Sequence, residues 1–154
     1  LRSLKTILKK KNMTVILFSG GGSTSYRKNF SSYSISKLCL VKLTEILSHE
    51  VKNKKTTFNI IAPGIINSKM TNQILKNKIK ISKEELIKIN ENLQFTNENL
   101  NKVYKTINFL NSKKGKLISG RLISSSWDKI FEISKKKYLK LIETDIYTLR
   151  RKEN

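Results

Sequence analysis

One cysteine, one proline and one histidine stand among 154 residues. With Cys39 alone, no internal disulfide framework can form, and the chain fits a reducing compartment. His49 and Cys39 have no companions and the acids do not group at ligand spacing, so no metal site is expected. A Ser–His–Asp hydrolase would have to use His49, ten residues beyond Cys39 in a predicted helix, and a helix-end histidine is the simpler reading. No acidic pair stands out for glycoside hydrolysis. No apolar run approaches the roughly 18 residues of a membrane-spanning helix, so no membrane partner is expected and a cytoplasmic location is. The chain opens at Leu1 rather than Met, in what reads as the middle of a helix, and is expected to be a piece of a longer protein.

Acids are scarce as well: 11 Asp+Glu against 32 Lys+Arg give a formal charge of +21. Such an excess raises nucleic acid as a partner, because clustered cations neutralise phosphates and release counterions. The pattern argues otherwise. Lysines run from Lys5 to Lys152, with short clusters at Lys9-Lys10-Lys11, Lys54-Lys55 and Lys135-Lys136-Lys137 and no interleaved aromatic platform. Arg, the residue favoured for fork-like phosphate contacts, is rare. Solvated surface lysines are the simpler reading; a nucleic-acid binder would show a steep salt dependence.

What is present has the grammar of a parallel α/β sheet. Leu1, Leu4, Ile7 and Leu8 fall at helical spacing in residues 1–11. Met13 to Phe18 reads as a strand buried on both faces, ended by Ser19-Gly20-Gly21-Gly22-Ser23. A helix fits 31–51, with Ile35, Leu38, Val41, Ile46 and Leu47 as apolar positions; Lys52 to Thr56 is a polar turn. Phe58 to Ala62 is a second strand, stopped by Pro63-Gly64. Ser82-Lys83-Glu84-Glu85 has the form of a capping box. Another helix is expected over about 97–110, striped by Leu100, Val103, Ile107 and Leu110. A third strand spans Leu117 to Ser124, interrupted by Gly120, and the tail from Ile130 fits one more amphipathic helix.

One constellation carries chemistry. Tyr33-Ser34-Ile35-Ser36-Lys37 puts a phenol and an ammonium four residues apart, one helical turn from each other on one face. A cation at that distance favours the phenolate, so a lowered Tyr33 pKa is expected, as an acid–base for a carbonyl/alcohol pair requires. Upstream, a strand delivers Ser19 into a glycine loop, where its hydroxyl can bond a substrate oxygen. Downstream, a strand delivers Pro63-Gly64 at the end where open parallel sheets bind ligands. Tyr-x-x-x-Lys alone is weak, since any helix can contain it. The ordered set is specific: strand–Ser-Gly-Gly-Gly, then Tyr-x-x-x-Lys, then strand–Asn59-Ile60-Ile61-Ala62-Pro63-Gly64.

This set resembles the short-chain dehydrogenase/reductase family, classical branch, over about residues 1–130. Phe30 to Lys37, continuing to Leu43-Thr44-Glu45, is similar to the family's active-site helix, and Asn59 to Gly64 to its strand ending in Pro-Gly. Asn108-Phe109-Leu110 with Ile118-Ser119-Gly120-Arg121-Leu122-Ile123 resembles its last helix and strand. The resemblance implies a Rossmann-like doubly wound parallel α/β sheet present as its C-terminal half. Within it, 65–115 would form a helical segment covering substrate and cofactor; 131–154, beyond the resemblance, reads as a lysine-rich helical tail. It implies an NAD- or NADP-dependent oxidoreductase of a small carbonyl or alcohol, a homo-oligomer when whole and inactive as this stretch alone.

The same resemblance implies the roles of individual residues. Tyr33 is the proton donor or acceptor, Lys37 holds the cofactor ribose, and Ser19 orients the substrate carbonyl. The backbone of Pro63, Gly64, Ile65 and Ile66, with Ser68, packs on nicotinamide. Three departures stand out. The glycine-rich dinucleotide loop and the catalytic Asn of the family's N-terminal half are not in this sequence. The usual second serine, thirteen residues before the Tyr, is Gly20, so Ser19 or Ser23 must serve. The last strand leads into Ser124-Ser125-Ser126-Trp127-Asp128 rather than the common Asp-Gly-Gly. A binding or regulatory protein that keeps the fold without catalysis is the alternative.

Overall fold

The computed structural model describes residues 12–51, 56–76 and 81–151; the helical pattern read in residues 1–11 and most of the 52–56 turn lie outside them. Eight regular elements follow in order: β1 (Thr14–Phe18), α1 (Ser31–Glu50), β2 (Thr57–Ala62), α2 (Lys69–Lys76), α3 (Lys83–Gln94), α4 (Thr96–Asn111), β3 (Arg121–Ser124) and α5 (Lys135–Glu143). The strands form one parallel sheet in the order β1-β2-β3. Thr14 stands opposite Thr57 and Phe18 opposite Ile61, while Asn59 stands opposite Arg121 and Ala62 opposite Ser124. Parallel neighbours need crossovers, and helices supply both: α1 between β1 and β2, α2 to α4 between β2 and β3.

Side chains alternate across the central strand, and the two faces are covered by different helices. Phe58 points into a cluster with Leu47 and Val51 of the α1 side, joined by Met13, Val15 and Leu43. Ile61 points the other way, into the largest cluster, with Leu110, Ile118, Ile123, Ile130 and Leu141. Helices on both faces of a parallel sheet make this the doubly wound α/β architecture expected from the sequence. Asn59 is fully buried on β2 and ties it to the next strand: its amide donates to the Ile118 carbonyl at 2.8 Å and its carbonyl oxygen accepts from Arg121 N at 3.2 Å.

Four expectations need correction. β1 is half-buried rather than buried on both faces, because among the described residues it pairs on one side only. α1 has the expected bounds, but Ile35 is 61% exposed, and Leu38 and Ile46 are exposed too. Val41, Thr44 and Leu47, spaced three apart, are what α1 buries. In α4 the stripe holds for Val103, Ile107 and Leu110 while Leu100 faces solvent, and Asn99 and Thr106 are buried in its place. The third strand starts only at Arg121: residues Gly115–Leu117 form a 3-10 turn, and Gly120, at φ +76°, takes a left-handed conformation that no strand continues through.

The tail folds back onto this core. A 3-10 turn, Ile130–Glu132, precedes α5, whose N-cap Ser134 accepts from Lys137 N at 3.3 Å. Ile130 and Leu141 are fully buried in the same cluster as Ile61 and Ile123. Beyond α5, Leu122 N of β3 donates to the Tyr147 carbonyl at 2.8 Å, so the chain covers the β3 edge. The Arg121 guanidinium donates to the carbonyls of Leu141 and Thr144 at 3.2 and 2.5 Å.

Candidate active site

Parallel strands end on the same side, and there the loops after β1, β2 and β3 enclose a cleft of about 1220 Å³. Ser19, Ser23, Tyr33, Lys37, Pro63, Gly64, Ile65, Ile66 and Ser68 all line it. Residues spread over fifty positions of sequence are thus brought to one opening by the strand ends and by the N-terminal turn of α1. Among the described residues no group of three or more His, Cys, Asp or Glu could hold a metal ion. No helix among them is long and apolar enough to cross a membrane.

Ser19 is buried at the end of β1, its backbone N donating to the Ile61 carbonyl at 2.8 Å. Its hydroxyl donates to Ser23 Oγ at 3.0 Å, and Ser23 Oγ donates to the Gly20 carbonyl at 3.1 Å. The two serines that the sequence offers as alternatives therefore form one hydrogen-bonded chain. Gly20, between them, touches the phenol: a Cβ built on it would stand 2.0 Å from Tyr33 Oη. A side chain at position 20 and the present Tyr33 hydroxyl exclude each other.

Lys37 sits one turn along α1, its Nζ 5.7 Å from the Tyr33 ring centroid and donating to the Phe18 carbonyl at 3.1 Å. The lowered Tyr33 pKa expected from Lys37 is not what the site produces. Burial is the largest influence and pushes the phenol above its ordinary value, with the Arg27 charge opposing it. The cation that acts on Tyr33 comes from the loop after β1, a position no periodicity marks.

Ser68 serves as a helix cap in the structure. Its hydroxyl accepts from Thr71 N at 3.1 Å at the start of α2 and lies 2.9 Å from Thr71 Oγ1. α3 is capped by Ser82, whose side chain accepts from Glu85 N at 3.2 Å, as the capping box predicts. The reciprocal half of the box is absent: the Glu85 carboxylate reaches across the cleft to Arg27 instead. Sequence reasoning also missed Asn99, a buried polar residue on α4. Its amide nitrogen donates to the Ile65 carbonyl at 2.9 Å and its oxygen accepts from Ser126 Oγ at 3.5 Å, tying the loops after β2 and β3 together. The only trace of it in the sequence is an amide directly beside the apolar stripe of α4. At the mouth of the cleft Trp127 and Tyr26 are almost wholly exposed, at 86% and 88%.

Comparison with known proteins agrees with this architecture. A family model described as enoyl-(acyl carrier protein) reductase matches residues 1–126. The chain is 32% identical over 88 residues to the 3-oxoacyl-[acyl-carrier-protein] reductase of Bos taurus, a match covering 57% of this chain and 34% of that protein. Among solved structures it is similar to the aldohexose dehydrogenase of Thermoplasma acidophilum in ligand-free form (TM-score 0.55, 17% identity, 79% of this chain and 50% of that one). It is also similar to a variant of actinorhodin polyketide ketoreductase with NADPH (TM-score 0.55, 18% identity, 72% of this chain and 44% of that one). A short-chain dehydrogenase/reductase from Brucella melitensis gives a TM-score of 0.51 at 18% identity, over 81% of this chain and 47% of that one. The chain spans about a third of the curated relative and about half of these structures. The match over residues 1–126 and the α/β architecture together make this chain a member of the short-chain dehydrogenase/reductase family of oxidoreductases.

Proposed function

We propose that this chain works as the catalytic part of an NAD- or NADP-dependent oxidoreductase acting on a small carbonyl or alcohol, with Tyr33 transferring the proton. The observation that carries this is the placing of Tyr33: half-buried at the cleft, its hydroxyl against Gly20 at the end of β1, one helical turn from Lys37. Burial that raises the phenol keeps it protonated at neutral pH, the form needed to donate to a developing alkoxide.

The residues present fit the nicotinamide end of a dinucleotide. The cleft has the room, Pro63 to Ile66 line it, and Lys37 spends one of its three donors on Phe18. Lys37 would hold the ribose, and Pro63, Gly64, Ile65, Ile66 and Ser68 would pack on the ring. When bound, the cofactor supplies or accepts the hydride. Ser19 would orient the substrate oxygen towards Tyr33 by turning its hydroxyl proton from Ser23 Oγ to that oxygen. Ser19→Ala would lower turnover more than Ser23→Ala.

In the enzyme that carries this chain, Tyr33→Phe removes one hydroxyl and leaves α1 intact. Turnover is expected to fall by a factor of about 10²–10⁴, read by following NADH or NADPH absorbance. Lys37→Met is expected to raise the cofactor dissociation constant. A Tyr33→Phe enzyme with unchanged turnover ends this proposal.

Ile35, Leu38 and Ile46, exposed along α1, further support a homo-oligomer. Light scattering should report a dimer or larger, and Ile35→Lys combined with Leu38→Lys should shift it towards monomer.

A further inference from the structure

The loop after β1 passes beneath α3, and there Arg27 lies against two rings. Its guanidinium carbon is 3.8 Å from the Phe30 centroid and 5.9 Å from the Tyr33 centroid. Phe30 meets Tyr33 edge-on, with centroids 6.3 Å apart and planes at 74°. On its other side Arg27 Nε donates to Oε1 of Glu85, the third residue of α3. Both side chains are largely covered, at 17% and 22% exposure. Phe30, Ile74 and Ile89 form a small core beside them, with Tyr33, Ile65 and Leu93 packed on it. The ion pair is therefore set in a packed wall, where charge is screened less than on an open surface.

Other charged or titratable groups line the cleft that Tyr33 lines. On its own helix there is Lys37, directed at the Phe18 carbonyl. The loop brings Tyr26, Arg27 and Lys28; α3 brings Glu84, Glu85 and Lys88; the turn after β3 brings Asp128; and the segment beyond α5 brings Tyr147. α2 contributes only Met70, Thr71 and Ile74. Of all these, Arg27 alone is stacked in the wall that Tyr33 shares and is bound to the helix covering it.

We propose that Arg27 is a positioning residue for Tyr33: clamped between the Phe30 ring and Glu85, it links the seating of α3 over the cleft to the protonation of the phenol. With α3 seated, Glu85 pairs with the guanidinium and offsets part of its charge, and the phenol keeps its proton. With α3 lifted, or Glu85 neutralised, the full cation faces the ring and the phenolate gains. The direction matches the influence Arg27 has on Tyr33 in the closed site, where it works against burial. The inference rests on Tyr33 as the proton-transferring group, and its test does not depend on turnover.

The chain is labelled with tyrosine carrying ¹³C at Cζ, the Tyr33 line is assigned by its loss in Tyr33→Phe, and its midpoint is followed through the alkaline range by NMR. Arg27→Met is expected to raise the midpoint by about half a unit or more, the size of one charge at this separation in a partly screened site. Glu85→Gln is expected to lower it, and Arg27→Lys to stay nearer the wild type than Arg27→Met. Midpoints for Arg27→Met and Glu85→Gln that stay within about 0.2 of the wild type, or that move the same way, overturn the proposal. If Arg27→Met unfolds, its tyrosines titrate together near the ordinary value of about 10. Glu85→Gln, which keeps the Ser82 cap and nearly all the side-chain volume, then decides: a lowered midpoint supports the link and an unchanged one overturns it. A lost link with Tyr33→Phe turnover still collapsed fails this inference alone, whereas an intact link with Tyr33→Phe turnover unchanged fails the proposed function alone.

Discussion

A single hydrogen atom at position 20 governs the geometry of the phenol. Where the family resemblance leads one to expect a serine, this chain has Gly20, and the Tyr33 hydroxyl occupies the space a side chain would fill. The missing hydroxyl is thus coupled to the position of the tyrosine, and the bonded pair Ser19 and Ser23 lines the cleft beside it. Gly20→Ala is expected to swing the hydroxyl end of Tyr33 into the cleft, since the ring is only half-buried and its far end can move. Stability should change little, by about 1 kcal/mol or less, because that motion relieves the overlap. Turnover should fall at least about tenfold, because the proton donor then misses the substrate oxygen. Thermal melting and steady-state kinetics on the same preparation separate the two effects.

At the scale of elements, the helices around the site differ in what fastens them. α1 buries Val41, Thr44 and Leu47 along its length, Leu47 beside Phe58 of β2, while Phe30 and Tyr33 at its start pack against Ile74 and Ile89. α3 hangs on a cap, an ion pair and one small apolar cluster. α5, although rich in lysine, is fastened to the core through Leu141. Leu141 is fully buried against the same side chains that cover β2. Leu141→Ala is expected to cost about 2–5 kcal/mol, the range for a buried leucine whose cavity does not collapse. Urea unfolding should show it as a lowered midpoint at constant slope. A cost under about 0.5 kcal/mol would mean that the tail is no part of the core.

Across the whole molecule, the C-terminal end of the described chain meets α1 through charge. Arg150 pairs with Glu45 of α1 at 2.7 Å and with Asp145 at 3.1 Å, which pins the C-terminal strap to the helix bearing Tyr33. The hydrogen bond from Arg150 is the main reason the Glu45 carboxyl sits below its ordinary value, with Lys42 adding to it. A carboxyl that holds its proton less tightly when folded stabilises the fold above its unfolded pKa and loses that contribution as pH falls through the folded one. Stability should therefore drop below about pH 4.5, and Glu45→Gln should flatten that part of the curve. The effect is expected to be under about 1 kcal/mol, since Arg150 and Lys42 reach solvent. Melting temperatures from pH 6 to 3 at low salt would check it, and identical curves for the two proteins would remove Glu45 from the account.

Local chemistry was enough to determine much of this protein. The apolar run from Phe58 to Ala62 ended by proline and glycine, the long helix read over 31–51 and the Ser82 cap each depend on neighbours a few residues away. The Tyr-x-x-x-Lys spacing likewise places two groups on one helix face without reference to the rest of the chain. Tertiary structure alone decided the remainder. Whether β1 is buried depends on which strands lie beside it, and which apolar residues of α1 face the sheet depends on how the helix is rolled onto β2. The direction of the Tyr33 shift was misread for the same reason. The cation in view along the sequence, Lys37, turns to a backbone carbonyl, whereas burial and a loop arginine held by a helix 58 residues away set the phenol. Desolvation and long-range charge depend on what surrounds a group in space, and a spacing rule along one helix contains neither.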